Sequence, residues 1–381
     1  MNQRGTKADW PEHGGQGIAL LQRLGLAGTE PRLDLSASLN PLGPPDWLAD
    51  WLKDSLESVR HYPDPGHPAA YAALAAALGI CADRLLLTNG GAEAIHLVAS
   101  AYRSGRALIV EPTFGEYARA CALNGIAVER YELHPEGATL DIERLTSRLD
   151  ASANKVDLIF LCRPNNPTGA CMAREDVVTL LEAARRRGAL VVVDEAFVDF
   201  ADPGMSLTAL VDQGLPLVLL RSLTKFYALA GLRLGYLVAS ASCCRRLQRH
   251  QPAWSVNGLA SALVPALLAD TDFASRTRDW VMAERAYLPL ALGRLGLVAL
   301  PTQANFVLFR PPGAPSRARG EGLVRHLARD GVMVRHTHTF AGLDGAWVRV
   351  ALQQRQGNQL LIRRLEEWRD SPQAERWGSG A

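Results

Sequence analysis

The residues of this chain that could do covalent chemistry are grouped around one lysine. Lys225 comes three residues after Ser222, in a motif that follows the apolar run LPLVLL, and Arg233 follows in GLRLG. Burial at the end of a strand favours the neutral form of a lysine amine, and a neutral amine can form an imine with an aldehyde. Arg233 and the Ser222 hydroxyl would hold a phosphate beside it. The pattern predicts a nucleophilic lysine next to an anion site, although taken alone it also fits a surface lysine after a core strand.

Two further polar side chains are expected at the same rim of a sheet. Asp194 ends the apolar run in LVVVDEAF, and Asn166 lies in NNPTG after the strand VDLIFLC. A carboxylate there could keep a pyridine nitrogen protonated, so that the ring accepts an electron pair, and an amide could donate to a phenolic oxygen. The alternatives are that Asp194 caps the next helix and that NNPTG is a plain turn.

Two more segments could contact the same ligand. Gly91 and Ala92 lie where NGGA joins a strand to a helix, and free backbone N–H groups at a helix N-terminus bind phosphate. Phe114, in EPTFGEY, follows the next strand, where its ring could stack on a cofactor or simply fill the core.

The elements that must position these residues alternate between short apolar runs and amphipathic stretches of helical length. The predicted strands are Leu85–Thr88, Ala107–Val110, Val128–Leu133, Val156–Cys162, Ala189–Val193, Leu217–Arg221 and Tyr236–Ala239. The predicted helices between the earlier ones are Ala92–Tyr102, Glu116–Asn124, Ile142–Leu149 and Arg174–Arg187. This alternation predicts an α/β fold with a mostly parallel sheet, helices on both faces and ligands at the carboxyl ends of the strands.

After about residue 250 the pattern changes to two helices, at about 255–268 and 273–295. Three strands follow, at Asn305–Arg310, Val332–Arg335 and Ala346–Leu352. Such a succession is typical of a smaller α+β domain. The predicted organisation is an arm over 1–45, a large domain over 46–245 and a small C-terminal domain over 246–381.

Composition excludes several classes of partner. Hydrophobic residues make up 48% and charged residues 21% of the 381 residues, which is ordinary for a globular protein, and a net charge of +2 gives no reason to expect nucleic acid or an anionic membrane. The chain has no apolar stretch typical of a membrane span or signal peptide, so a cytoplasmic location is expected. The six cysteines form no C-x-x-C pair, and no metal site is predicted.

The order of the motifs NGGAE, PTF, NNPTG, DEAF, SLTK and GLRLGY resembles that of the class I/II aminotransferases of pyridoxal-phosphate (PLP) fold type I. The resemblance covers essentially the whole chain and implies the aspartate-aminotransferase-like fold, with PLP as the cofactor. It also implies roles for individual residues. Lys225 would form the Schiff base and Asp194 would face the pyridine nitrogen. Asn166 would bind the phenolic oxygen and Phe114 would stack on the ring.

The resemblance also implies how the cofactor phosphate is held. Its ligands would be Gly91, Ala92, Ser222 and Arg233. Tyr62, in HYPDPG, resembles the tyrosine that reaches the cofactor phosphate of a neighbouring subunit. A homodimer with shared active sites is therefore implied.

Within the superfamily the chain is most similar to the threonine-phosphate decarboxylases of cobalamin biosynthesis, and next to the histidinol-phosphate aminotransferases. His13-Gly14-Gly15 followed by LDLSASLNPLGPP resembles the opening of the decarboxylases, in which the histidine contributes to the substrate site. Phe197 in DEAF also matches them, since aminotransferases commonly carry a tyrosine there. Arg335 and Arg349, taken as two strand-end arginines, would form two anion forks, which suits a substrate that carries a carboxylate and a phosphate.

Three functions stay open from the sequence. The favoured one is decarboxylation of L-threonine O-3-phosphate, with the substrate held by His13, Asn166, Arg335 and Arg349. The second is transamination of histidinol phosphate or a related amino acid. The third is a non-catalytic binding or regulatory role of the same fold, which is disfavoured because each catalytic position holds a competent residue.

Overall fold

The structure is a computed structural model that describes residues 10–137, 141–151 and 155–370. The first nine residues of the predicted arm and the last eleven of the predicted small domain lie outside the described residues. The strands are β1 Leu33–Asp34, β2 Leu85–Thr88, β3 Arg106–Glu111, β4 Ala127–Glu132, β5 Leu158–Cys162, β6 Leu190–Asp194, β7 Leu217–Ser222, β8 Gly235–Ala239, β9 Val298–Ala299, β10 Phe306–Arg310, β11 Val332–Met333, β12 Arg335–His336 and β13 Val348–Ala351.

Helices cover the sheets and connect the strands. They are α1 Gly17–Arg23, α2 Leu48–Ser55, α3 Pro68–Leu78, α4 Gly90–Ala101, α5 Glu116–Leu123, α6 Ile142–Ala151, α7 Arg174–Arg187, α8 Leu223–Phe226, α9 Ala241–Gln248, α10 Gly258–Ala269, α11 Thr271–Arg294, α12 Arg317–Arg329 and α13 Arg355–Arg369. Among the described residues, none of these helices combines the length and apolar character needed to cross a membrane.

The large sheet has seven strands in the order β2-β8-β7-β6-β5-β3-β4. The pairs within β7-β6-β5-β3-β4 are parallel, and β8 pairs antiparallel with both β2 and β7. The predicted mostly parallel α/β architecture is therefore confirmed. Because β5, β6 and β7 run in the same direction, their carboxyl ends bring Cys162, Asp194 and Ser222 to one edge of the sheet.

Both faces of this sheet are buried. In β6, Val191 and Val193 belong to one apolar cluster, while Leu190 and Val192 belong to the cluster on the opposite face. Successive side chains of a strand point to opposite faces, so a strand covered on both sides needs an unbroken apolar sequence, which β6 has. The rigid double-sided core fixes the rim on which the polar residues lie.

A smaller antiparallel sheet has the order β12-β13-β10-β9. The single strand predicted over Val332–Arg335 is wrong, because the structure divides it into β11 and β12. The division falls at Val334, where the chain changes partner: β11 pairs in parallel with β1, whereas β12 pairs with β13. The N-terminal segment is thereby attached to the C-terminal part of the chain. The domain boundaries at residues 45 and 245 stay predictions.

Candidate active site

A cavity of about 600 Å³ opens at the carboxyl ends of the parallel strands. Every site residue predicted from the sequence lines it, with the exception of Tyr62. The lining includes His13, Gly91, Ala92, Phe114, Asn166, Asp194, Ser222, Lys225, Arg233, Arg335 and Arg349. These residues are spread over more than 300 positions of the sequence, yet they meet in one cavity. We therefore take this cavity as the candidate active site.

Lys225 lies in the short helix α8, which begins directly after β7. Burial, together with the positive charges of Arg349 and Arg233, lowers the pKa of its amine to about 8, while Asp194 opposes the shift. An amine with this pKa is substantially neutral near pH 8, as a nucleophile or proton carrier needs to be. The chemistry expected at Lys225 therefore has a physical basis in its surroundings.

The N-terminus of α4 forms a cradle beside Arg233. Gly90 begins this helix with a φ of 76°, and a Cβ atom there would lie only 2.7 Å from Nη2 of Arg233. Only glycine allows the guanidinium to approach the helix start so closely. The hydroxyl oxygens of Ser222 and Thr224, which line the same cavity, are 2.7 Å apart. Backbone N–H groups at a helix start, hydroxyls and a guanidinium are together the kinds of group that could hold a phosphate.

Asp194 is the last residue of β6 and is buried. Its Oδ2 accepts a hydrogen bond of 2.6 Å from the Tyr117 hydroxyl, and its Oδ1 accepts one of 2.9 Å from the backbone N–H of Ala196. Burial raises the pKa of this carboxyl, whereas the two hydrogen bonds and the charge of Lys225 lower it. The donors therefore support an ionised carboxylate at a site that would otherwise favour the protonated form.

Arg349 and Arg335 are cross-strand partners on β13 and β12. Arg349 donates one hydrogen bond to Oδ1 of Asn166 and another, of 3.0 Å, to the backbone oxygen of Ser36. Its Nε is buried without a hydrogen-bond partner. Burial and the neighbouring Arg335 lower its pKa to about 9. The charged form of this guanidinium is therefore destabilised, and an anionic ligand would stabilise it.

Hydrogen bonds within the chain already use part of the Arg335 guanidinium group. It donates to the backbone oxygens of Pro11, at 2.7 Å, and Glu12, and to the Thr339 hydroxyl at 2.7 Å. The sequence-based description of both arginines as strand-end forks needs a correction. Arg335 begins β12 but also anchors the N-terminal arm, and Arg349 is the second residue of β13, where antiparallel pairing places it opposite Arg335.

The arm carries His13 to the cavity. Gly14 allows this approach, because a Cβ atom there would lie 2.0 Å from the backbone oxygen of Ser36. The His13 ring lies 6.0 Å from the ring of Phe114, and its Nε2 is 3.5 Å from Oε1 of Glu116. Glu116 also lies 3.6 Å from His96. His13 therefore stands at the rim of the cavity, within a small charged cluster.

Tyr62 lies apart from the cavity that this chain forms. Its side chain is 80% exposed and its ring lies 4.7 Å from the ring of Trp254, which is also exposed. The shared-site role expected for Tyr62 needs a second subunit, and it stays a prediction.

The sequence analysis did not identify several residues of the site. Tyr117 contacts Asp194, Thr224 contacts Ser222, and Glu116 contacts His13. A local signal existed only for Thr224, which lies inside the SLTK motif. Tyr117 and Glu116 follow Phe114 within one helical turn, but nothing in their spacing indicates their long-range partners.

The arrangement fits PLP. Lys225 offers an amine for the aldehyde, Asp194 a carboxylate for the ring nitrogen, and the α4 cradle, where Gly91 has open space in front of its Cα, offers room for the phosphate. Phe114 lines the same cavity and could cover one face of the ring. When bound, this cofactor supplies an aldehyde and a ring that accepts electrons.

Comparisons with known proteins agree with this description. The family model described as "Aminotransferase class I and II" matches residues 30–365. A threonine-phosphate decarboxylase of Salmonella typhimurium is 35% identical over 356 residues, covering 93% of this chain and 95% of the relative. A histidinol-phosphate aminotransferase of Symbiobacterium thermophilum is 35% identical over 315 residues, covering 82% and 84%. The crystal structure of a histidinol-phosphate aminotransferase of Sinorhizobium meliloti in complex with pyridoxal-5'-phosphate has the same fold, with a TM-score of 0.83 at 20% identity, covering 96% of this chain and 98% of that chain.

Proposed function

We propose that this chain, which belongs to the aminotransferase class I and II family and uses PLP, decarboxylates L-threonine O-3-phosphate. The products would be CO2 and (R)-1-aminopropan-2-ol phosphate, for cobalamin biosynthesis. The similarity to a threonine-phosphate decarboxylase along nearly the whole of both chains supports the proposal.

The observation that carries the proposal is the pairing of two arginines in one cavity with Lys225. Arg335 and Arg349 are directly opposite each other on β12 and β13, and both line the cavity. Two buried guanidinium groups repel each other and lose hydration, so their proximity is costly without anions between or beside them. A substrate with a carboxylate and a phosphate supplies two such anions.

We assign the carboxylate end of the substrate to Arg349. Arg349 contacts Asn166, and its charge lowers the pKa of Lys225, so it lies toward the reacting amine. Its Nε is buried without a hydrogen-bond partner, so the guanidinium keeps an unsatisfied donor. Asn166 and Arg349 together would set the angle of the Cα–carboxylate bond, because a planar guanidinium binds a carboxylate in a fixed orientation.

We assign the phosphate end to Arg335 and His13. Both residues line the main cavity and also the adjoining outer cavity of about 380 Å³, which Arg349 does not reach. His13 is about half exposed at the rim, with a side-chain exposure of 45%. This placement gives the substrate an inner carboxylate and an outer phosphate.

Lys225 and Asp194 would then complete the reaction. Asp194, whose carboxyl group accepts hydrogen bonds from two donors, would stabilise a positive charge on the ring nitrogen of bound PLP. Lys225 would hold a proton on Nζ and return it to Cα after CO2 leaves. Phe197, which packs edge-to-face on Phe306 at 5.0 Å, adds no hydroxyl to the site.

The second candidate function is transamination of histidinol phosphate. The equal identity, 35%, of the Symbiobacterium thermophilum aminotransferase favours it, although that match covers less of this chain. Histidinol phosphate has no carboxylate, so Arg349 would serve only the second substrate of such an enzyme, a 2-oxo acid.

Substrate tests on the purified holoenzyme separate the two functions. With L-threonine O-3-phosphate and no 2-oxo acid, we expect release of CO2, and with histidinol phosphate plus 2-oxoglutarate we expect little glutamate. Threonine without phosphate should react far more poorly, since Arg335 would be left without its anion. Stoichiometric glutamate from histidinol phosphate, with no CO2 from phosphothreonine, would instead establish the aminotransferase.

A further inference from the structure

We propose that Tyr117 is a positioning residue for the cofactor: its hydroxyl holds the Asp194 carboxylate ionised and aimed at the ring nitrogen. The inference rests on the proposed role of Asp194 and is independent of which bond at Cα is broken. Tyr117 does not line the cavity and acts only through its neighbours.

The contacts of Tyr117 fix its hydroxyl in place. The residue lies in the first turn of α5 and is fully buried. Its ring stacks on Phe160, with a centroid distance of 5.3 Å and an interplanar angle of 9°. A side chain packed in this way has one position for its oxygen, and that position is 2.6 Å from Oδ2 of Asp194. The hydrogen bond is therefore preorganised before any ligand binds.

The direction of the hydrogen bond follows from the surroundings. Burial and the negative charge of Asp194 raise the pKa of Tyr117 well above its ordinary value, so the phenol keeps its proton and donates it. The Ala196 N–H occupies the other carboxylate oxygen at 2.9 Å. Each oxygen of Asp194 thus has one donor from the protein, and each retains acceptor capacity for a ring N–H.

Loss of the Tyr117 hydroxyl would move the proton between Asp194 and the ring. Burial already favours the protonated carboxyl, and the Tyr117 hydrogen bond opposes that shift. Without it, the carboxylate becomes the better base and takes a larger share of the proton from the nitrogen. A ring without its positive charge accepts electrons less readily, so bond breaking at Cα slows.

Tyr117 also contacts the residue that would cover the ring face. Its ring meets the Phe114 ring edge-to-face, at 5.9 Å and 88°. The buried Tyr117 therefore contacts both Phe114 and Asp194. Because the packing contact survives in phenylalanine, the substitution Tyr117→Phe removes the hydrogen bond and leaves the contact with Phe114.

The test uses Tyr117→Phe holoenzyme loaded with PLP that carries ¹⁵N in the ring. We expect the ¹⁵N signal to move toward the position of an unprotonated pyridine, and kcat to fall about 10- to 100-fold with KM little changed, since one charge-assisted hydrogen bond is lost. The affinity of the cofactor-free protein for PLP should also fall, measured by equilibrium dialysis.

Tyr131→Phe is the matched control. Tyr131 is a buried tyrosine in β4 whose hydroxyl donates, within the part of the chain that the structure describes, to the backbone oxygen of Asp141 at 3.5 Å. This variant should keep the wild-type ¹⁵N signal and kcat, and comparison of the two melting temperatures controls for stability. A ¹⁵N signal in Tyr117→Phe that matches the wild type would overturn the inference.

The double variant Tyr117→Phe with Asp194→Asn separates the two proposals. If Tyr117 acts through Asp194, the double variant should lose no more kcat than Asp194→Asn alone. Additive losses would show that Tyr117 has only a packing role. If Asp194→Asn by itself left the ¹⁵N signal unchanged, the proposed role of Asp194 would fail, and the inference with it.

Discussion

Arg335 and Arg349 lie directly opposite each other on two antiparallel strands, and both line the cavity that contains Lys225. Burial lowers the pKa of Arg335 to about 10 and that of Arg349 to about 9. These two neighbouring cations are each destabilised by burial. A substrate with two anionic groups would compensate their unfavourable charge. The proposed substrate specificity follows from this pair.

The first prediction concerns this pair. Arg349→Ala and Arg335→Ala should each lower kcat/KM for L-threonine O-3-phosphate by about 10- to 100-fold, because one charge-assisted interaction contributes about 1.5 to 3 kcal/mol. The affinity for PLP should change much less, as measured by equilibrium dialysis. Arg276→Ala, which removes an arginine that is 50% exposed, is the control. Equal losses of PLP and substrate affinity in both variants would contradict their assignment to the substrate.

The second prediction is that Lys225 is the reactive amine. In the cofactor-free protein, acylation of Lys225 should be half-maximal near pH 8 rather than near the ordinary lysine value, because burial and the adjacent arginines favour the neutral amine. The measurement is the rate of peptide labelling against pH. Arg349→Met should move the midpoint upward, since the charge of Arg349 lowers this pKa.

Lys225→Ala supplies the control for the second prediction. The variant should fold but lose turnover, since both exchange with the substrate amine and proton return to Cα need Nζ. Borohydride treatment of the wild-type holoenzyme should attach the cofactor to the peptide that contains Lys225. A modified peptide with a different lysine would overturn the assignment.

The third prediction concerns Asp194. Asp194→Asn should still bind PLP, although less tightly than the wild type, since the phosphate cradle at α4 is untouched, and it should slow bond breaking at Cα by about 100-fold or more through loss of the charge at the ring nitrogen. Stopped-flow absorbance of the holoenzyme after mixing with substrate measures this step. Full activity of the variant would remove the electron-withdrawing role from the proposed mechanism.

The fourth prediction concerns Tyr62. We propose a homodimer in which Tyr62 reaches the cofactor phosphate of the partner subunit, which accounts for an aromatic side chain that is 80% exposed in the single chain. Sedimentation should give a dimer, and Tyr62→Phe should weaken PLP binding about tenfold, the size expected for one hydrogen bond to a charged group. A fully active monomer would contradict this proposal.

The sequence predicted those parts of the site that depend on strand ends. Asp194 and Lys225 were identifiable because an apolar run that stops at a polar residue marks the rim of a buried parallel sheet. The sequence could not predict contacts that depend on packing between distant elements. The hydrogen bond between Tyr117 and Asp194 joins residues 77 positions apart, and the anchoring of the arm by Arg335 joins residues 324 positions apart.

The same limit explains the error at β11 and β12. Val332–Arg335 reads as one strand, because two of its four residues are valine, which is enriched in strands. The division at Val334 is imposed by two different pairing partners, β1 and β13, that lie far away in sequence. Local propensity carries no information about such partners.

The central claim is that the enzyme breaks the bond from Cα to the carboxylate and leaves the Cα–H bond intact. The most direct measurement follows L-threonine O-3-phosphate that carries ¹³C in the carboxyl group and deuterium at Cα, incubated with the holoenzyme in ordinary water. Decarboxylation predicts ¹³CO2 and an aminopropanol phosphate that retains the deuterium, detected by mass spectrometry. Loss of the deuterium to water, with the ¹³C still bound in a 2-oxo acid, would contradict the claim.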